Sequence, residues 1–188
     1  MWFLEGTGNG TCSCDYEVWG IFLEGKPLKD LVIQKLKERG VSIEKVAEIV
    51  YELQSEYFPN LTFESCCEAV HVVLKKREVQ YALLTGLALD TLAEEGILPE
   101  PLLGIVQNDE PLYGIDEVIA LAITNVYGSI GLTSFGYLDK TKHGIIGELN
   151  DGKYEYVNTF ADDLVAAVAA AACARIAHSS VGSVENED

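Results

Sequence analysis

Two pairs of adjacent acids open stretches of the sequence that otherwise carry almost no charge. Asp116 and Glu117 precede an uncharged run that continues to Asp139, and Asp162 and Asp163 precede a run rich in alanine. Each pair is predicted at the start of a helix, where free backbone N–H groups and the helix dipole stabilise negative charge. Helix capping alone would account for either pair taken singly.

Taken together, the acids indicate a shared site. If the two uncharged helices pack against each other, their carboxylates meet near the core, where an unpaired charge costs several kcal/mol. Buried carboxylates need a cation, and the candidates nearby are a metal ion, Lys140, Lys142 and His143. Hard oxygen ligands select Mg²⁺, or alternatively Mn²⁺, over zinc. The predicted metal ligands are Asp116, Glu117, Asp139, Asp162 and Asp163.

Such a site favours phosphate chemistry. Magnesium held by carboxylates usually keeps bound waters and meets a substrate phosphate. Other routes to phosphate are missing, because the sequence has no G-x-x-x-x-G-K-[ST] loop and no arginine six positions after a cysteine. Of the three histidines only His143 lies beside the acids, so a Ser–His–Asp arrangement has no support. The residues therefore favour magnesium-assisted phosphoester hydrolysis.

The elements that must position these acids are predicted to be helices. Ser42 can cap a helix whose apolar residues recur on one face, Thr62 can cap the next helix, and a further helix ends at Gly96. Strand alternation is hard to find after residue 26. A length of 188 residues is typical of one domain with a real core. The predicted class is an all-α, single-domain helical bundle.

Neither uncharged run is predicted to cross a membrane. Small polar residues interrupt the stretch 118–135, and the alanine-rich stretch 164–174 is shorter than the roughly 20 apolar residues of a spanning helix. Both are predicted as central helices buried on most sides. A single helix about 20 residues long would hold its end acids roughly 30 Å apart. A site shared by Asp116 and Asp139 therefore requires a break between Gly128 and Gly136.

The net charge and the cysteine spacing limit which binding partners and which cellular compartment the sequence predicts. Thirteen basic against 30 acidic residues give a formal charge of −17, which opposes binding to nucleic acid and to anionic lipid. The five cysteines show no repeated metal-ligand spacing and are predicted to be free thiols in a reducing cytosol. We expect a cytoplasmic protein with at most peripheral contact with the inner face of the membrane. Its apolar helix surface predicts a homo-oligomer.

Three short motifs resemble those of the phosphatidylglycerophosphatase A family. They are "YGIDEVIA", "LDKTKHGII" and "FADDLVAAV", and the likeness to the soluble YutG-like branch, also called low-temperature-requirement C proteins, runs from about residue 27 to 178. The resemblance implies a central helix wrapped by others and Mg²⁺-dependent removal of phosphate from phosphatidylglycerophosphate. It also implies catalytic roles for Asp139, Asp162 and Asp163, and a phosphate contact for Lys142.

One departure from the family pattern concerns the phosphate contact. Family members in the membrane carry an arginine three residues before the motif aspartate, where this sequence has Gly136. An arginine is a natural phosphate clamp, and Arg77, Lys140 or Lys142 are the predicted substitutes. Two other functions therefore stay open: hydrolysis of a soluble phosphoester or nucleotide at the same site, and a non-enzymatic binding or regulatory role. Residues 1–26 are predicted as an N-terminal extension, 27–178 as the helical domain and 179–188 as an acidic disordered tail.

Overall fold

The computed structural model describes residues 27–152 and 156–184, with side chains as far as residue 179. Every regular element in those two ranges is helical, and neither range contains a strand, which confirms the predicted all-α class. The predicted N-terminal extension lies outside the described residues. In chain order the helices are α1 (Leu28–Glu38), α2 (Ile43–Gln54), α3 (Phe63–Val73), α4 (Arg77–Glu94), α5 (Leu102–Asn108), α6 (Ile115–Thr124), α7 (Gly128–Thr141), α8 (Ile145–Asp151) and α9 (Ala161–Val184), with a 3-10 turn (Asn125–Tyr127) before α7.

Two helix starts use the caps that the sequence predicted. The Ser42 hydroxyl oxygen accepts a hydrogen bond from the Lys45 backbone N–H at 3.3 Å and caps α2. Thr62 and Ser65 form a reciprocal capping box at the start of α3, in which each side chain accepts from the other residue's backbone N–H. These bonds satisfy backbone donors that the first turn of a helix leaves without partners.

Helix α9 is the central helix of the fold. Every residue from 161 to 174 is buried, and α2, α3, α4, α6, α7 and α8 all pack on it. Gly86 of α4 allows close approach to α9, since a Cβ added there would stand 2.6 Å from Leu164 Cδ1. The prediction of a central helix wrapped by others is confirmed for this segment. The helix continues to residue 184, so it includes the first residues of the segment predicted as a tail.

The second uncharged stretch is not a central helix, and that prediction was wrong. It forms α6 and α7, which rest on α9 with one face and leave the other face open to solvent. The chain breaks between them at Gly128, whose φ of +75° is a backbone conformation that glycine adopts readily. Lack of charge did not mean burial, because large apolar residues such as Val118 and Leu132 are themselves exposed on these two helices. The break itself falls inside the predicted interval.

The same segment has the length and composition of a membrane span. The most apolar 18-residue window within Ile115–Thr141 has a mean hydropathy of 1.5, and one third of that window is buried. It is the single such segment in the described part of the chain. A straight helix of this length would measure about 40 Å, whereas here the break at Gly128 lets both halves pack on α9.

Candidate functional site

Lys142 lies at the centre of a cluster of carboxylates. Its ammonium nitrogen is 2.8 Å from Asp139 Oδ1, 3.0 Å from Asp162 Oδ2 and 3.3 Å from Asp163 Oδ1. Asp139 belongs to the last turn of α7, whereas the two other acids belong to the first turn of α9. The fold therefore joins two of the predicted motifs through one lysine. We call these four residues the Lys142 cluster.

Local backbone geometry sets the position of this lysine. Lys142 ends α7 with a left-handed backbone (φ 48°), which turns the chain towards α8. A Cβ added at Gly147 would stand 2.5 Å from the Lys142 carbonyl oxygen. Because α8 passes this close to the turn, only a glycine fits at position 147 without displacing it.

The acids of α9 are held in a poorly solvated place. The side chains of Asp162 and Asp163 are 9 % and 5 % exposed, against 33 % for Asp139. Burial, reinforced by the neighbouring Asp162 charge and opposed by Lys142, raises the pKa of Asp163 to about 8. Burial likewise raises the pKa of Asp162, although Lys142 opposes it. Burial alone would lower the pKa of Lys142, but the surrounding carboxylates outweigh it and raise the pKa.

Two further acids lie near the Lys142 cluster. Asp116 is half-buried at the start of α6, and its charge contributes to the raised pKa of Asp163. Burial raises the pKa of Asp116 itself, with a smaller contribution from Asp109, which ends α5 in a left-handed conformation. Asp109 also acts on Asp162. The charges of Asp116 and Asp139 both contribute to the raised pKa of Asp163, and the chain changes direction between α6 and α7 at Gly128.

Three other residues that the sequence predicted for the site lie outside the Lys142 cluster. Glu117 is exposed, and its side chain takes no part in the Lys142 cluster; its backbone N–H donates to Asp116 Oδ1 at 2.9 Å. Lys140 is exposed on α7. Arg77 opens α4, whereas Asp90, 13 residues further along that helix, contacts the start of α9. Arg77 therefore lies about 20 Å along the helix axis from the end of α4 that reaches the site.

Sequence reasoning missed the acid that holds the start of α9. Asp90 of α4 is fully buried, and its two oxygens accept hydrogen bonds from the backbone N–H groups of Phe160 at 3.1 Å and Ala161 at 2.9 Å. Burial raises the pKa of Asp90 to about 8, although the Arg39 charge opposes it. The Thr159 hydroxyl donates to the Val106 carbonyl oxygen at 2.6 Å and ties the same turn to α5. An acid on the apolar face of α4 was the available signal for Asp90.

Arg39 fixes the segment that enters α9. Its guanidinium donates to the Val157 carbonyl oxygen at 2.8 Å and to Asn158 Oδ1 at 2.9 Å, and it pairs with Glu94 Oε1 at 3.0 Å. The Val157 backbone N–H in turn donates to the same Glu94 oxygen. This network and Asp90 hold both sides of the turn that presents Asp162 to Lys142.

Two concave regions differ in their distance from these acids. A small cleft lined by Asp109, Tyr156, Asn158, Thr159 and Asp162 opens beside the Lys142 cluster. A much larger cavity, about 480 Å³, lies between the loop at residues 58–61, α3 and the C-terminal half of α9. The acids occupy the other end of α9, so the larger cavity is separate from them. Asp162 lines the small cleft and belongs to the Lys142 cluster, so the two are adjacent.

The donor set fits a hard divalent cation by its chemistry. The nearby side chains offer carboxylate oxygens, the ligands that Mg²⁺ prefers. Three carboxylates surround one ammonium, and Asp116 adds a fourth negative charge, so the ionised group carries an excess of negative charge. Within the described ranges no three such side chains already converge as a metal-binding group, because the carboxylates point at Lys142.

Fold and site together define a helical protein that gathers acids around a lysine at the start of a buried central helix. The chain belongs to the phosphatidylglycerophosphatase A family, whose sequence model matches residues 32–178. It is 60 % identical to YpjQ of Bacillus subtilis, which is described as uncharacterized, over 149 residues, 79 % of this chain and 84 % of YpjQ. It is 52 % identical to YutG of the same organism, also described as uncharacterized, over 77 % of this chain and 87 % of YutG.

A solved structure repeats the fold. The low temperature requirement C protein of Listeria monocytogenes superimposes with a TM-score of 0.79 at 51 % identity, covering 82 % of this chain and 98 % of that one. The predicted resemblance to the YutG-like branch of the family is thereby confirmed.

Proposed function

We propose that this protein is a Mg²⁺-dependent phosphatase that hydrolyses the phosphomonoester of phosphatidylglycerophosphate to phosphatidylglycerol and inorganic phosphate. Membership of the phosphatidylglycerophosphatase A family supports the reaction class. The observation that carries the proposal is the Lys142 cluster, in which one ammonium contacts acids from two separate motifs. We place the activity in the cytoplasm, with at most peripheral contact with the inner membrane face.

The proposal includes a cation because the carboxylates of the site and the phosphate of the substrate are both negatively charged. A phosphomonoester is itself anionic, and it would be repelled by carboxylates that outnumber the single ammonium of Lys142. Asp116, Asp139, Asp162 and Asp163 are the residues that would hold Mg²⁺, and Mn²⁺ offers the same preference for oxygen ligands. When bound, the ion supplies polarisation of a phosphoryl oxygen. Glu117, although predicted as a ligand, is exposed, and we leave it out of this set.

The chain's own groups supply positioning and proton transfer. In the overall reaction a water oxygen bonds to phosphorus, the bond from phosphorus to the glycerol oxygen breaks, and that oxygen takes up a proton. Lys142 is the group that contacts a phosphate oxygen, with exposed Lys140 near it on α7. Whichever of these four acids does not bind the ion would take and return the proton during the reaction. Asp139 and Asp162 hold the Lys142 ammonium in place.

Phosphate release from phosphatidylglycerophosphate tests the proposal. We expect turnover with Mg²⁺ or Mn²⁺, loss of turnover with a chelator, and a fall of at least about 100-fold in Asp162→Asn. Asp151→Asn is the matched control, because Asp151 is exposed at the end of α8 and far less constrained. Equal rates for the two variants would refute the site assignment.

The choice of substrate separates the remaining functions. A panel of water-soluble phosphoesters and nucleotides is assayed under the same conditions. Turnover of soluble compounds without turnover of the lipid would assign the site to the soluble class. If no phosphoester is turned over while Mg²⁺ still binds, the enzymatic proposal fails and the binding role takes its place.

A further inference from the structure

A cavity beside the C-terminal half of α9 takes no part in the proposed phosphatase reaction. It measures about 480 Å³, within the range of roughly 300–1,000 Å³ that is usual for small-molecule sites. Arg175, which lines the cavity, follows Asp163 by 12 residues on the same helix, or about 18 Å along its axis. We call this space the Arg175 cavity, and its lining includes no residue of the Lys142 cluster.

The walls of the Arg175 cavity come from three separate segments. The loop after α2 contributes Phe58, Pro59 and Leu61, α3 contributes Ala69, and α9 contributes Ile176. These apolar groups border one concave space, unlike the exposed apolar residues along the side of a single helix. A hydrocarbon held between them would leave water on several sides at once, which favours its binding.

The charged groups at the cavity leave a net positive charge. Two charged residues, Arg175 and Glu68, line it, and the Glu68 carboxylate lies 4.0 Å from the Lys75 ammonium. Two cations against one acid leave a single positive charge. In a chain whose formal charge is −17, the cavity is therefore a place where one negative charge is attracted.

The Arg175 guanidinium is available to a ligand. It is exposed, and within the described ranges it makes no hydrogen bond or ion pair, although the chain has 30 acidic residues. Its charge reaches Tyr127, where it opposes the rise in pKa to about 12 that burial causes, but a neutral phenol does not neutralise it. An arginine side chain offers five N–H donors in a planar fork that matches a carboxylate.

We propose that the Arg175 cavity binds a free amphiphilic monoanion, a carboxylate on a hydrocarbon body of medium length. The carboxylate pairs with Arg175, and the hydrocarbon packs against apolar wall residues such as Leu61 and Ile176. A phosphomonoester dianion fits less well, because a single positive charge does not neutralise two negative ones. The cavity thus selects against the class of substrate that we propose for the Lys142 cluster.

Isothermal titration calorimetry of the full chain with octanoate tests the proposal. A chelator is present throughout, so the result does not depend on a divalent ion or on turnover at the Lys142 cluster. We expect a dissociation constant of about 1 mM or tighter for octanoate. Octanol has the same chain without the charge, and acetate has the charge without the chain. Each should bind at least about tenfold more weakly than octanoate.

Two variants of exposed residues locate the binding site. Arg175→Met keeps an unbranched side chain and removes the charge, so octanoate should bind at least about tenfold more weakly while the affinity for octanol is unchanged. Glu68→Gln removes the acid of the lining, so octanoate should bind about threefold more tightly, a gain that loss of folding cannot produce. Arg77→Met is the matched control, because Arg77 is also exposed and does not line the cavity.

Four results would overturn the proposal. The first is no binding of octanoate at about 1 mM. Equal affinities for octanoate and octanol would mean that Arg175 takes no part, and equal affinities for octanoate and acetate would mean the same for the apolar walls. Equal affinities of the wild-type protein and Arg175→Met for octanoate would place the binding elsewhere in the chain.

A lipid bilayer is the other occupant whose chemistry resembles that of an amphiphilic anion. If octanoate does not bind, but the full chain sediments with phosphatidylglycerol vesicles and Arg175→Met does not, the cavity contacts a membrane surface and the proposal fails. If octanoate binds and Arg175→Met loses that binding, the free monoanion is the ligand.

Discussion

Replacing Lys142 by methionine should destabilise the protein in a way that depends on pH. Methionine keeps much of the length of the side chain but leaves Asp162 and Asp163 without their ammonium partner. Removing one partner of a buried ion pair costs about 3–5 kcal/mol. Because the Lys142 side chain is 27 % exposed, solvent reduces this effect, and we expect about 2–4 kcal/mol at pH 8.5.

The pH dependence follows from the raised carboxyl pKa values. Asp163 has a pKa of about 8, so at pH 5.5 it is protonated with or without the lysine and the loss contributes little there. Above pH 8 the wild-type protein ionises this acid beside an ammonium, whereas the variant must ionise it unpaired or keep it protonated. The difference in unfolding free energy between wild type and variant should therefore grow as the pH rises from 5.5 to 8.5.

Urea unfolding without divalent ions measures both quantities. Lys45→Met is the matched control, because its ammonium makes a bond of the same 2.8 Å length to Glu148 on an exposed surface. Surface pairs contribute about 0–1 kcal/mol. Equal losses in the two variants, or a loss in Lys142→Met that does not change with pH, would refute the account of a desolvated cluster. Added Mg²⁺ should stabilise Lys142→Met more than Lys45→Met if the freed carboxylates bind it.

Three further outcomes are expected. Without metal, the unfolding free energy of the wild-type protein should fall from pH 6 to pH 9 in urea titrations. The reason is the raised pKa of Asp90, which gives stability that is complete below about pH 4 and is lost as the pH rises through 8. Asp90→Asn should flatten this fall. Asp116→Asn should weaken Mg²⁺ binding in calorimetry at least tenfold more than Glu117→Gln, since only the first acid acts on the cluster. Gly147→Ala should lower thermal stability by about 1–3 kcal/mol and reduce phosphate release, because its Cβ displaces the turn at Lys142.

Local sequence patterns predicted the parts of the site that lie within single helices. The acid pairs do begin helices, the alanine-rich run is the buried central helix, and the chain breaks at Gly128 as the spacing of Asp116 and Asp139 demanded. Each of these follows from interactions within one or two turns. They are therefore readable from composition and spacing alone.

Contacts between distant segments were not readable in this way. Asp90 caps α9 across 70 positions of sequence, and Arg39 reaches Asn158 across 119. Glu117 and Asp116 are chemically similar neighbours, and only the rotation of α6 about its axis decides which faces the cluster, since successive residues differ by about 100°. Sequence reasoning therefore identified the acid pair and could not choose between its members.

The arrangement around Lys142 suggests how a surplus of buried acid is kept ordered. The carboxylates of Asp162 and Asp163 are nearly buried, so they repel each other and are poorly solvated. The Lys142 ammonium offsets part of that repulsion and orients both side chains. Lys142 offsets only part of the cost of burying these charges, because the pKa of Asp163 stays raised beside it. The remaining negative charge is what a divalent cation would neutralise. In the proposed enzyme these acids would hold Mg²⁺, which would neutralise part of their charge, and Lys142 would contact the phosphate.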